Sequence, residues 1–533
     1  MAVHTALPHS HTQVLPFKES LLAMIGICFV VVLVAFDQTV VGTALPTVVA
    51  ELKGFELYAW VATSYLLTSV VTVPIFGRLG DFYGRKPFVI ASIVVFTLAS
   101  VMCGMAGSMT FLVWSRALQG VGGGMLVGTA YACIPDLFPD ARVRLRWQVL
   151  LSASFGIANA IGPTLGGWMT QAYGWRSVFY VNIPFGMLGL WFAWRFLPHL
   201  RQNVHTGHDG KMRLDWQGAL LITVALGALQ LFVEWLPRHG LSLPMLGWLV
   251  LSAAAFVALW WWEQRAEQPL LPFDMLRNPS LAALFMLALL SGFSMFAVLF
   301  YAPLLFQGGF GMSPQQAGLI ITPLVVCITL GSIINGRIVT RIPKPNSMLY
   351  AGFALLTLAL AGMSASSKSM PHVVLTGLML VAGLGLGFVL PNLTVFAQQT
   401  AGRAHLGIAT ALLQSLRMVG GMVGTALVGT LVSERYASGV GDALRADDAA
   451  QWLHQLADPE ILIDHDAQTA LLAQMHAAGH DGAALLEAAR HVLVGAIHIG
   501  LIVATVVALV GLWRVSRVPP VALHHVEPVQ QPE

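Results

Sequence analysis

Two ionisable residues sit where an apolar chain tolerates them least: Asp37 in "VLVAFDQTVVGTALP" and Arg116 in "WSRALQGVGGGM". A charge at the centre of a bilayer costs at least about 2.5–3.5 kcal/mol, so each one present needs a reason. Asp37 is the only acidic residue deep in an apolar run, whereas Glu234 stands at the end of its run beside Trp235 and Pro237. Removal from water favours a neutral carboxyl group, and an approaching cation favours the carboxylate. Alternation between those forms is what coupling a proton to a second cargo requires. The other reading is an Asp held permanently by an ion pair or by backbone hydrogen bonds. Arg116 stays protonated. It can bias the protonation of a neighbour, hold carbonyl groups, or snorkel to a surface as a packing anchor. Arg417, in "RMVGG", is open to the same readings.

Other residues in or near apolar runs could line a route. Asn159, Asn392, Gln398 and Gln414 are polar, while Phe36, Tyr65, Phe155, Phe296 and Tyr301 could line an adaptable apolar cavity. For any single one of these, core packing or contact with lipid is the competing reading. Gly120, Gly122, Gly123, Gly124 and Gly128 form a small-residue face that lets helices approach closely. In "IGPTLGG", Pro163 removes one backbone hydrogen bond among Gly162, Gly166 and Gly167, which allows a bend.

The elements that position these residues follow from composition. The chain is 56% hydrophobic and 10% charged, with mean hydropathy +0.74; soluble domains carry about 25% charged residues. Apolar runs near the ~20 residues that cross a bilayer recur throughout. This is the pattern of an all-α polytopic membrane protein, with fourteen candidate spans from 21–43 to 491–513. The first run is too long for a signal peptide, so it is expected to be a retained span. Cys28, Cys103, Cys133 and Cys327 all fall within apolar runs and read as small buried hydrophobes. The seventeen histidines are scattered, and no metal-ligand or phosphate-cradling spacing is visible. Neither an enzyme active site nor a metal or nucleic-acid site is expected, and no cofactor.

An even number of spans puts both termini on one side. With that side cytoplasmic, nineteen Lys and Arg lie inside and seven outside, which is the bias of the positive-inside rule. The inner segments include "GRLGDFYGRKP", between spans at 58–77 and 88–106, where Gly77, Arg78, Asp81, Gly84, Arg85 and Lys86 cluster. Its glycines suit a tight inter-helix turn, and Asp81 among three cations is a charge network that could be made and broken. The outer segment 433–490 is acidic, with short amphipathic pieces expected to be helical turns outside the membrane.

A weak internal repeat runs through the chain. Gly77–Arg78 returns at Gly336–Arg337, "IGPTLGG" has a counterpart in "VGGMVG", and the glycine run after Arg116 has one in "GLGLG". Two six-span bundles, 21–197 and 281–513, with two extra spans in 198–280, account for it, and a site between the bundles is the expected arrangement. Short segments 1–20 and 514–533 complete the division.

These motifs, in order, resemble the major facilitator superfamily. "GRLGDFYGRKP" is similar to its loop signature, and "AFDQTVVGTALPTV", "RALQGVGGGM" and "GPTLGGWMTQAYGWRSVFYVNIPFG" resemble signatures of its fourteen-span drug:proton antiporters of EmrB/QacA type. The resemblance implies export of lipophilic, in part cationic, small molecules across the cytoplasmic (inner) membrane, driven by a proton gradient. It implies Asp37 and Arg116 as coupling residues, Gly162, Pro163, Gly166 and Gly167 as the flexible antiporter element, and the 77–86 cluster as gating residues. It implies a chain working as a monomer in the bilayer, and admits a periplasmic adaptor and an outer-membrane channel as partners. Two departures stand out: Ala158 replaces a glycine of the fifth-span signature, and "GRIVTRIPKP" lacks the acidic residue of its first copy.

Overall fold

A computed structural model describes residues 17–137, 141–197, 215–239, 242–266, 274–339, 341–401, 406–446, 450–457, 459–463, 465–478 and 480–518. Every regular element among them is a helix, the solution that satisfies backbone polar groups internally when no water is at hand. The first half holds α1 (Phe17–Leu52), α2 (Tyr58–Tyr83), α3 (Arg85–Gly104), α4 (Met109–Leu137), α5 (Ala141–Tyr173) and α6 (Ser177–Phe196). Two further helices follow, α7 (Trp216–His239) and α8 (Leu243–Glu263). The second half holds α9 (Pro279–Leu304), α10 (Pro314–Ile338), α11 (Ser347–Ser364), α12 (His372–Ala401), α13 (Leu406–Ala446) and α14 (Gly482–Arg514). Eleven helical stretches among the described residues are long and apolar enough to cross a membrane. The protein is an all-helical, multi-pass membrane protein.

The second half repeats the packing of the first. Helix α1 lies against α5 and α6, and α4 against α2 and α3; likewise α9 lies against α13 and α14, and α12 against α10 and α11. Close approach sets the register in both copies. Gly120 and Gly124 bring α4 onto the backbone of Tyr65 and Ser69 in α2, and Gly383 and Gly387 bring α12 onto Leu324 and Ile328 in α10. A Cβ at any of these four glycines would collide with a carbonyl oxygen of the facing helix. Helices α7 and α8 pair with each other, and α7 runs beside α2 and α13.

The halves meet along α5–α10 and α2–α13. Gly167 sits on the carbonyl of Pro314, Gly318 on that of Pro163, and the Thr164 and Thr322 hydroxyls share a hydrogen bond. After Pro303, α9 loosens into one π turn, Leu305–Gly309. From that turn the Gln307 amide donates to the Thr43 carbonyl of α1 at 2.8 Å. The Tyr58 hydroxyl donates to the Phe300 carbonyl at 2.7 Å. These contacts lie toward the end of the bundle opposite Phe17 and Arg514. At that far end the two halves are joined.

Two connections differ from the sequence expectation. The stretch Gly77–Pro87 is not a loop: α2 continues to Tyr83 and α3 begins at Arg85. Gly84 alone makes the turn, at φ 88° and ψ 147°, a backbone conformation that L side chains rarely adopt. Charged residues end a hydropathic run without ending a helix. The segment 433–490 is mostly ordered helix: α13 continues to Ala446, and Leu453–Leu456 and His465–Ala477 form a small cap before α14. Leu456, Leu462 and Met475 of the cap are buried and belong to the same apolar core as Tyr436 and Leu485. The Tyr436 hydroxyl donates to the Leu456 carbonyl at 2.8 Å. Most of the terminal segments 1–20 and 514–533, and the linker 198–214, lie outside the described residues.

Candidate functional site

Asp37 stands mid-way along α1 with no exposed surface, and Arg116, on α4, is 1% exposed. Arg116 Nη1 donates to Asp37 Oδ2 at 2.7 Å. The other carboxylate oxygen, Oδ1, accepts from Gln119 Nε2 at 2.8 Å and from Asn182 Nδ2 at 3.1 Å. Gln119 and Asn182 also donate to the Ser100 hydroxyl, at 2.6 and 3.0 Å. Four helices thus contribute to one polar cluster: α1, α3, α4 and α6. Local geometry explains the assembly. Arg116 and Gln119 are one helical turn apart and share a face, and Gly120, next in line, lets α4 sit close enough to α2 for the guanidinium to be enclosed.

The electrostatics are those of an ion pair removed from water, which survives only if the remaining polar atoms are also satisfied. Asp37 accepts three hydrogen bonds. Arg116 has three further partners: Gln119 Oε1 at 2.5 Å, the Val61 carbonyl at 3.3 Å, and the face of Tyr65, 4.6 Å from the ring centroid. A proton arriving on Asp37 would break the ion pair but leave Arg116 with an amide oxygen, a carbonyl and an aromatic face. The carboxylate is thus held on both oxygens by donors, and Arg116 keeps partners besides it.

The remaining sequence-singled residues fall in several places. Tyr65 joins the cluster, and Phe36 is buried beside Asp37. Gly162 and Gly166 pack α5 onto Thr39 and Val40 of α1, while Gly167 and the carbonyl of Pro163 meet α10, so this glycine–proline segment bridges the two halves. Phe296 stacks on Phe300 and covers Gly421. The Tyr301 hydroxyl donates to the Thr425 carbonyl at 2.9 Å, also at the seam. Asn392 is buried and exchanges amide hydrogen bonds with Asn335, at 2.7 and 3.2 Å, joining α12 to α10. Asn159 and Arg417 are half-buried and engaged. Gln414 is half-buried on α13 with its Oε1 enclosed. Gly77 is helical, and Arg85 and Lys86 begin α3 half-buried. The side chains of Arg78, Asp81 and Phe155 lie outside the described residues. Among the described residues no group of three or more metal-ligating side chains occurs.

Sequence reasoning passes over Gln119, Asn182 and Ser100. The first two carry a signal, since Gln119 follows Arg116 by one turn and Asn182 lies within "FYVNIPFG". Ser100 carries none.

Comparison with known proteins then decides the family. The model described as Major Facilitator Superfamily matches residues 27–425. The chain belongs to that superfamily. Membership makes it a membrane transporter of small molecules rather than an enzyme. It is 32% identical over 435 residues to the multidrug transporter protein MdtP of Bacillus subtilis, covering 80% of this chain and 78% of that one. It is 31% identical to multidrug resistance protein 3 of the same organism, covering 79% and 81%. The tetracenomycin C resistance and export protein of Streptomyces glaucescens is 29% identical, covering 82% and 78%. A bacterial homologue of the human lysosomal transporter Spinster, solved in an inward-facing and unoccupied conformation, shares the fold. Its TM-score is 0.63 at 13% identity, over 96% of this chain and 100% of that one. Relatives named for multidrug resistance and export support transport in the export direction for this superfamily member.

Proposed function

We propose that this protein exports lipophilic small molecules, organic cations among them, in exchange for protons entering the cell. The observation that carries the reading is the Asp37–Arg116 pair, fully buried and framed by Gln119 and Asn182. A carboxylate so placed is costly to the fold, and a static packing role would be met by an apolar pair. In the proposed cycle Asp37 takes a proton from outside, Arg116 shifts onto its remaining acceptors, and α1 and α4 move relative to each other. The halves then rock about the α5–α10 and α2–α13 seams, with cargo leaving outward as the proton leaves inward.

The proposal includes fourteen spans, with α2, α4 and α5 crossing in addition to the eleven stretches above. It places both termini in the cytoplasm, following the Lys and Arg distribution, and the protein in the cytoplasmic membrane. The end joined by the contacts of Tyr58 and Gln307 then faces outward. The test is ethidium efflux from cells or vesicles under an imposed proton gradient. Asp37→Asn is expected to abolish gradient-driven efflux while leaving ethidium binding measurable. Normal efflux in that variant would remove the coupling role, and uptake of the dye would reverse the direction.

A further inference from the structure

Asn182 opens the helical segment Asn182–Phe196 and has no exposed surface. Its amide is turned into the cluster. Nδ2 donates to Asp37 Oδ1 at 3.1 Å and to Ser100 Oγ at 3.0 Å. A carboxylate can only accept, so the charged form of Asp37 fixes which end of the amide faces it. The other end, Asn182 Oδ1, is enclosed and accepts no hydrogen bond among the described residues. Leaving a buried acceptor unpaired is costly, and packing alone does not call for such an atom. The three groups placed on the Asp37 oxygens, Arg116 Nη1, Gln119 Nε2 and Asn182 Nδ2, all donate. A neutral acid has to donate one bond itself, and none of those three can receive it.

A half-turn of the Asn182 amide supplies the missing acceptor. The torsion concerned is broad and roughly two-fold for Asn, so the exchange needs no backbone movement. Asn182 Oδ1 then faces both the acid and Ser100. The Ser100 hydroxyl, which receives bonds from Gln119 and Asn182, keeps the first and gives its own proton to Asn182. Nδ2 takes the enclosed place that Oδ1 leaves, so one amide atom is unpaired before and after. We propose that Asn182 is the positioning residue that receives the protonated form of Asp37, by rotation of its amide. The proton adds to Asp37 Oδ1, and no other covalent bond changes. The ion pair with Arg116 on α4 exists only in the charged form. The bond between Asp37 and Asn182 persists in both, with donor and acceptor exchanged, so α1 stays tied to α6 while its ionic attraction to α4 lapses. The ionisable groups around Asp37 are Arg116 on α4, Tyr65 on α2 and Cys103 on α3. Arg stays charged, and Tyr and Cys side chains are neutral on the acid side of neutrality, so among these groups acidification changes the charge of Asp37 alone. The inference rests on the proton-coupled reading above and adds how the cluster accommodates the proton.

The experiment is infrared difference spectroscopy on the full chain in lipid nanodiscs, acidified from neutral pH, with the side-chain carbonyl of asparagine isotope-labelled. In the wild type, acidification is expected to raise a carboxylic acid band that is lost in Asp37→Asn. With the same midpoint, one asparagine carbonyl band is expected to move to lower frequency, as a carbonyl does on gaining hydrogen bonds. That shift is expected to vanish in Asn182→Leu. It is expected to shrink in Ser100→Ala, which removes one of the two donors, keeps Asn182, and serves as the test if Asn182→Leu does not fold. A structural role for Asn182 would leave its carbonyl band unmoved by pH. An acid band from Asp37 with every asparagine carbonyl unmoved overturns the rotation and leaves proton uptake standing. A full-sized shift in Asn182→Leu or in Ser100→Ala also overturns it. Absence of any titrating band from Asp37 overturns both the rotation and the coupling role of Asp37.

Discussion

The two halves share a scaffold and divide the chemistry. Glycine knuckles at Gly120 and Gly124 on one side, and at Gly383 and Gly387 on the other, hold equivalent helix pairs in equivalent register. Four residues before the first knuckle the first half has Arg116; at the same place the second half has Met379, also fully buried. Helices α9 and α12 contain no Asp, Glu, Lys or Arg at all, whereas their counterparts α1 and α4 supply Asp37 and Arg116. Among the described residues, a buried side-chain pair of the second half is the neutral Asn335–Asn392 amide pair, joining α10 to α12. The α9–α12 contact therefore packs without an ion pair between those two helices. The pair in the first half is an addition to the scaffold, and its cost has to be justified by what it does.

The strongest way to break that comparison is to remove one charge. Arg116→Ala leaves Asp37 buried with two amides and no cation, and removing one partner of a buried pair costs about 3–5 kcal/mol. A large fall in melting temperature in nanodiscs is expected, and Asp37→Asn added to Arg116→Ala should recover much of it. Met379→Leu, at the matching place, should cost less than about 1.5 kcal/mol, the usual range for a volume-conserving apolar swap. Comparable losses at both positions would mean that the charge pair is ordinary core.

A smaller effect sharpens the shared part. Gly120→Ala and Gly383→Ala each place a methyl group against a carbonyl of the facing helix, an overpacking that costs about 1–3 kcal/mol. The two losses should be alike, because the contacts are alike. Tolerance at one position and unfolding at the other, read by melting temperature, would show that the halves do not share one packing rule.

How much of this is legible in the sequence depends on the kind of signal. Asp37 and Arg116 are visible because charges inside apolar runs are rare, and the helix bundles because hydropathy marks them. Gln119, Asn182 and Ser100 are hard to see, since single amides and hydroxyls occur in many spans and only the fold brings these three to one carboxylate. The extension of α13 to Ala446 is hidden for a different reason. Hydropathy falls after residue 431, yet Tyr436, Val440 and Leu444, spaced by four, place one apolar stripe against the cap. Packing of that stripe against the rest of the fold keeps the stretch helical beyond the most hydropathic part of the run. The single-residue turn at Gly84 is foreshadowed only by the glycine itself.

The end of the bundle where α14 begins supplies the mildest contrast with the buried pair. Lys368 Nζ lies 2.8 Å from Glu487 Oε1, a distance close to that between Arg116 and Asp37, but these side chains are 52% and 42% exposed. Geometry alone would rank the two pairs together. Solvent separates them, because water and ions screen an exposed pair and long side chains lose entropy in forming it. Glu487→Gln is therefore expected to change stability by no more than about 1 kcal/mol, and by less still at high salt. Melting temperatures of the wild type and Glu487→Gln across a salt series check this against Arg116→Ala, whose loss should persist in salt. A salt-insensitive loss at Glu487 approaching that of Arg116→Ala would mean that the start of α14, and not only the cluster at Asp37, holds a charge on which the fold depends.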